Sequence, residues 1–124
     1  MKELVLSPLA HTWFLDLDGT LVKHNGHLTD GQDSLLPGAD ALLAQIPPDD
    51  LVVIVTSRAE AYREATEQFL ADRRIRYDQI IFGAPFGERI VVNDTKPSGL
   101  MTALALNGTR DEAPSLRVRV DKSL

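Results

Sequence analysis

The sequence contains no cysteine, which excludes a disulfide framework, a thiolate nucleophile and any cysteine-ligated metal. Lysine is scarce: Lys2, Lys23, Lys96 and Lys122 are the full set. Basic residues number 13 against 18 acidic ones, for a formal net charge of −5. That balance argues against general nucleic-acid or anionic-membrane binding by whole-molecule attraction. It still admits a phosphate-bearing substrate, because one basic pocket can sit on an acidic surface. Long apolar runs are also missing. The longest purely aliphatic stretch is Leu51–Val55, far short of the roughly 20 residues that span a bilayer. At the N-terminus Glu3 follows Lys2 at once, and Pro8 and His11 interrupt the apolar stretch. No secretion signal is expected there, and the chain reads as a cytoplasmic, soluble protein.

What is present is 124 residues, 44% of them apolar. That suffices for the core of one domain, since domains of about 100–150 residues are the commonest. Short apolar runs at Thr12–Asp16 (TWFLD), Leu51–Val55 (LVVIV), residues 79–82 (QIIF) and residues 89–93 (RIVVN) predict strands. Their near-continuous hydrophobicity suits a parallel sheet covered on both faces. Between them lie helical patterns. Ala39, Leu42, Leu43 and Ile46 recur at helical spacing before Pro47-Pro48, and Tyr62, Ala65, Phe69 and Leu70 form a second stripe. Ser57 and Glu60 have the spacing of a capping box at its start. A third helix is expected after Pro97, closed by Asn107-Gly108, and Leu116, Val118 and Val120 alternate like a half-exposed edge strand. The expectation is one α/β domain over residues 1–124. It is a three-layer, Rossmann-like open sheet, mainly parallel, with helices on both faces.

The chemistry gathers at the strand ends. Asp16 and Asp18 close the first buried run, separated by one leucine and followed by Gly19. An acid ending a buried strand is costly unless compensated, and ligands of α/β sheets bind at the carboxyl ends of strands. Two converging carboxylates suit a hard cation such as magnesium. A turn built on Asp18-Gly19 explains the glycine but not Asp16. After LVVIV come Thr56, Ser57 and Arg58, two hydroxyls and a guanidinium that make a phosphate cradle. Ser57 has the alternative of merely capping its helix. Asp94 is a third strand-end carboxylate, with a turn beside Asn93 as its plainer reading. Residues 22–28 (VKHNGHL) read as a flap hairpin. His24 and His27 are read there as loop residues rather than metal ligands, because carboxylate-rich sites favour magnesium.

These motifs resemble those of the haloacid dehalogenase-like phosphohydrolase superfamily. FLDLDGTL is similar to its first motif, VIVTSR to its second and VVNDTKP to a divergent fourth, over about residues 12–106. The resemblance implies that Asp16 is the nucleophile that forms an aspartyl-phosphate, and that Asp18 is the general acid and base. It implies that Thr56 contacts the phosphoryl group, and that Asp16, Asp94 and the backbone carbonyl of Asp18 hold Mg2+. The third motif, usually a lysine, is absent: Gly83-Ala84-Pro85 stands where related small phosphatases have Gly-Lys-Pro. Lys96 is the preferred substitute, with Arg89 and Arg58 as rivals. Neither the 30 residues between Thr20 and Leu51 nor residues 57–92 hold an inserted cap. The site is therefore expected to be open, or covered by another subunit of a homo-oligomer. Small capless relatives include phosphatases that act on sugar phosphates. The expected activity is a magnesium-dependent phosphomonoesterase without membrane association. A small phosphorylated molecule is favoured over a macromolecule as its partner, although an open site also suits a large phosphorylated substrate. The alternative is a catalytically degraded domain acting as a binding or regulatory module.

Overall fold

The apolar runs with β-branched or aromatic side chains become the paired strands. The computed structural model describes residues 2–124. In chain order these are β1 (Lys2–Leu6), β2 (Thr12–Asp16), α1 (Gly26–Thr29), α2 (Ala39–Ala44) and β3 (Leu51–Val55). A 3-10 turn (Glu60–Tyr62) then runs into α3 (Arg63–Asp72), followed by β4 (Gln79–Ile81) and β5 (Leu116–Val120). One sheet has the order β2-β3-β4 and the other pairs β1 with β5, and every pairing is parallel. This is a mixed α/β architecture of Rossmann-like character, as the alternation of strands and helices predicts.

The register sets up the site. Thr12 pairs with Leu51 and Asp16 with Val55, so the carboxyl ends of β2 and β3 lie side by side. Leu15 on β2 and Val52 and Ile54 on β3 share one face, and they pack with Ala39 and Leu42 of α2 and Leu70 of α3. Each fully buried aliphatic side chain contributes roughly 1.5–3 kcal/mol. Leu116 of β5 joins the same cluster. Gln45, just past α2, lies along β5: its Nε2 donates to the Leu116 carbonyl at 2.5 Å and its Oε1 accepts from the Val118 N–H at 2.7 Å. A side-chain amide thus stands where a neighbouring strand would be. The opposite face of the β2-β3-β4 sheet leaves Phe14, Leu51 and Ile81 exposed.

Several expected elements differ. Residues 89–93 form no strand, and no helix follows Pro97: between Ile81 and Leu116 there is neither. A strand needs a ladder partner as well as propensity, and RIVVN sits in a run broken by Gly83, Pro85, Gly87 and Pro97, with Ile90, Val91 and Val92 exposed. The QIIF strand ends at Ile81. The capping box does not form, because the helical segment starts at Glu60 after Ala59, two residues beyond Ser57, without a side-chain cap. Residues 22–28 are no hairpin. Val22 makes isolated bridges to Asp18 and Leu35, and Gly26–Thr29 is a single helical turn. β1 was not expected from its charged start, Lys2-Glu3; it exists because β5 offers it a parallel partner in register from Lys2–Leu116 to Leu6–Val120.

Candidate active site

The loop after β2 is held from inside. Leu17, Leu21 and Val22 are buried, and the Leu17 carbonyl accepts from the N–H groups of Thr20, Leu21 and Val22 at 2.9–3.3 Å. Gly19, at φ +81°, makes the left-handed turn that this tight loop requires. Anchored in this way, the loop leaves the Asp16 carboxylate half-exposed at the strand end. Thr20 Oγ1 donates to Asp16 Oδ2 at 3.1 Å, and Arg89 Nη1 lies 3.6 Å from Asp16 Oδ1. Asp16, Asp18 and Thr20 line a polar cleft of about 230 Å³ together with Thr109 and Arg110.

Asp18 turns to a different partner. Arg58 Nε donates to Asp18 Oδ2 at 3.0 Å and Nη2 to Oδ1 at 2.9 Å. The same guanidinium donates to both oxygens of Asp33, at 3.0 and 2.7 Å, and to Thr66 Oγ1 at 2.9 Å. Its side chain is almost wholly buried. Burial pulls its pKa down, but the hydrogen bonds and charges of Asp18 and Asp33 outweigh burial and raise it. Arg58 is thus a fixed cation bridging two carboxylates.

His27 borders this group. Its Nδ1 lies 3.9 Å from Asp18 Oδ1 and, among the described residues, is buried without a hydrogen-bond partner. Its ring meets Tyr62 edge-on at 5.0 Å. Burial lowers its pKa, the Arg58 charge lowers it further, and Asp18 and Asp33 oppose them. Asp18, His27 and Asp33 offer ligand atoms within 4.8 Å of one another, so the trio could hold a metal ion. Such an ion would compete with Arg58 for both carboxylates.

The residues named from sequence fare differently. Asp16 and Asp18 come together at the cleft. Thr56 is fully buried, and its hydroxyl accepts the Arg58 N–H at 3.1 Å. Ser57 Oγ donates to the Pro85 carbonyl at 3.4 Å and accepts from Arg89 Nη2 at 3.3 Å. Asp94 and Lys96 lie in the exposed segment after β4 and do not line the cleft. There the Asp94 carbonyl accepts from the Thr102 hydroxyl, and Lys96 is part of a turn closed by the Gly99 N–H. Magnesium takes one or two carboxylates and completes its shell with water and substrate phosphate. At this cleft the Asp16 carboxylate is available for that, whereas Arg58 holds both carboxylate oxygens of Asp18. Sequence reasoning missed Asp33, Thr109 and Arg110. Only the need of a buried guanidinium for counter-charge hinted at Asp33.

No family model and no curated protein matches the sequence. Two solved structures do, described as the "Structure of Pnkp1/Rnl/Hen1 complex" and the "Structure of the Pnkp1/Rnl/Hen1 RNA repair complex". The chain is 32% identical to a chain of each, with TM-scores of 0.51 and 0.50. The likeness covers 65% and 64% of this chain but only 30% and 27% of the neighbours, so this chain matches less than a third of their length. No helix among the described residues is long and apolar enough to cross a membrane.

Proposed function

We propose that this chain is a phosphohydrolase domain that removes a terminal phosphate from RNA, with Asp16 as nucleophile. The observation that carries the reading is the Asp16 carboxylate: half-exposed, oriented by Thr20 and open to a polar cleft at the carboxyl end of a parallel strand. The neighbours' RNA repair complex favours a polynucleotide end over the sugar phosphate expected from sequence, and it does not support a partner that is only a small molecule. An RNA end also suits an open cleft.

In this reading an Asp16 oxygen attacks phosphorus in line, and the bond from phosphorus to the ribose oxygen breaks as the aspartyl-phosphate forms. Asp18 gives the leaving oxygen its proton. It then takes one from the water that hydrolyses the acyl phosphate, releasing inorganic phosphate and restoring Asp16. Arg58 must loosen its grip on one Asp18 oxygen for that exchange. A magnesium ion held by the Asp16 carboxylate and the Asp18 backbone carbonyl would offset the repulsion between carboxylate and phosphate.

A second reading, a domain of this fold without turnover, is favoured by one observation: both Asp18 oxygens are occupied by Arg58. The test is phosphate release from a 3′-phosphorylated RNA oligonucleotide, a sugar phosphate and an aryl phosphate. Each is assayed with magnesium or EDTA, for wild type and Asp16→Asn. Magnesium-dependent release that is greatest for RNA and absent in the variant is expected. Silence on every ester from a folded protein would favour the binding domain.

A further inference from the structure

A phosphate entering beside Asp16 and Asp18 meets two acids, so its binding needs a cation that is not already committed. The sequence offers no lysine for this between Lys23 and Lys96. Arg58 is committed to Asp18 and Asp33, and Lys96 does not reach the cleft. Arg89 lies near Asp16 Oδ1 and donates to Ser57.

The remaining candidate, Arg110, lines the same cleft. Residues 109–112 form a turn closed by the Glu112 N–H on the Thr109 carbonyl at 3.1 Å. Two further bonds fasten it to the nucleophile loop: the Asp111 N–H donates to the Gly19 carbonyl at 2.8 Å, and Asp111 Oδ1 accepts from the His24 N–H at 2.7 Å. The stem of Arg110 then lies against Gly19 so closely that a Cβ there would come within 3.2 Å of Arg110 Cγ. None of the ion pairs among the described residues includes Arg110. An unpaired guanidinium, whose backbone is fixed beside the reacting carboxylate, matches a phosphate oxygen pair in fork geometry.

We infer that Arg110, with the Thr109 hydroxyl beside it, binds the substrate's terminal phosphate and supplies the charge that a lysine gives in the proteins this sequence resembles. The inference rests on the phosphohydrolase reading and assigns its phosphate contact to the turn after the exposed segment. The residue acts by contact with the phosphate, so both turnover and simple anion binding report on it.

The experiment measures KM, kcat and inhibition by inorganic phosphate for wild type, Asp16→Asn, Arg110→Ala and Arg110→Lys, with thermal midpoints as a folding control. Arg110→Ala is expected to raise KM and the phosphate inhibition constant about tenfold or more, with an unchanged midpoint, and Arg110→Lys to fall between. Wild-type constants in Arg110→Ala, in a protein that Asp16→Asn silences, would overturn the inference and leave the reading standing. If wild type turns over no ester, the reading falls, and direct titration with inorganic phosphate decides. Weaker binding by Arg110→Ala than by wild type retains the anion site, and equal or absent binding removes it.

Discussion

Arg58 grips Asp18 with two nitrogens, Nε on Oδ2 and Nη2 on Oδ1, while the same guanidinium holds both oxygens of Asp33. One buried cation therefore fixes two acids that approach it from different loops. Removing it leaves two largely buried carboxylates without their counter-charge. Arg58→Ala is expected to cost about 3–5 kcal/mol, and Arg58→Lys a smaller amount, because an ammonium cannot reproduce the planar fork. Urea unfolding without any ligand checks this. A midpoint like that of wild type would show that the bridge does not form in solution.

Thr20 is four residues after Asp16 and donates its hydroxyl to Oδ2 of that carboxylate. In the phosphohydrolase reading this bond aims the nucleophile, and misalignment of a reacting group slows chemistry more than it weakens binding. Thr20→Ala is expected to lower kcat about tenfold with little change in KM, and to cost about 1 kcal/mol of stability or less. Thr20→Ser should restore most of the rate. Equal kcat values for Thr20→Ala and wild type would remove the aiming role.

These two residues also mark what the sequence made legible. Asp16 and Asp18 could be read because a buried strand ending in acids is a local pattern, contained within a few residues. Arg58 could be placed at a strand end in the same way, but its role could not. Its partners lie 40 and 25 residues away, and Asp33 sits in a polar loop that looks like any connector. Arg110 is further still from Gly19 in sequence, and its approach depends on a turn held by Asp111. In the fold, β2 and β3 were legible from composition alone. β1 was not, because its charged beginning becomes a strand only against β5. The reverse error at residues 89–93 has the same root: apolar, β-branched residues without a ladder partner remain irregular.

Asp50 joins the start of β2 to the start of β3. Its Oδ1 accepts the His11 N–H at 3.0 Å, and its Oδ2 accepts from Trp13 Nε1 at 2.9 Å and lies 2.8 Å from His11 Nδ1. Burial pushes this carboxyl's pKa up, but the bonds from Trp13 and His11 outweigh burial and hold it below the usual aspartate value. A group depressed on folding contributes its stability fully above the unfolded pKa, about 3.9, and loses it as pH falls through the lower folded value. Stability should therefore fall as pH drops below about 4. Asp50→Asn should cost roughly 2 kcal/mol at pH 7 and flatten that acid limb. Urea midpoints from pH 2 to 7 for both proteins check the sign. A limb of equal steepness in Asp50→Asn would assign the acid sensitivity to other carboxylates.

The exposed segment after β4 gives the sharpest test of the fold. Val92 and Phe86 are each 92% exposed, whereas a valine in a strand covered on both faces would be buried. Substitutions of exposed side chains usually change stability by no more than about 0.5 kcal/mol, so Val92→Ala and Phe86→Ser should be nearly silent. Ile54→Ala in the core provides the contrast, at about 2–5 kcal/mol. Chemical denaturation of the three variants is sufficient. A loss above about 1 kcal/mol for Val92→Ala would mean that this segment packs against the rest of the chain in solution. The open sheet face at Phe14, Leu51 and Ile81 would be one surface able to receive it.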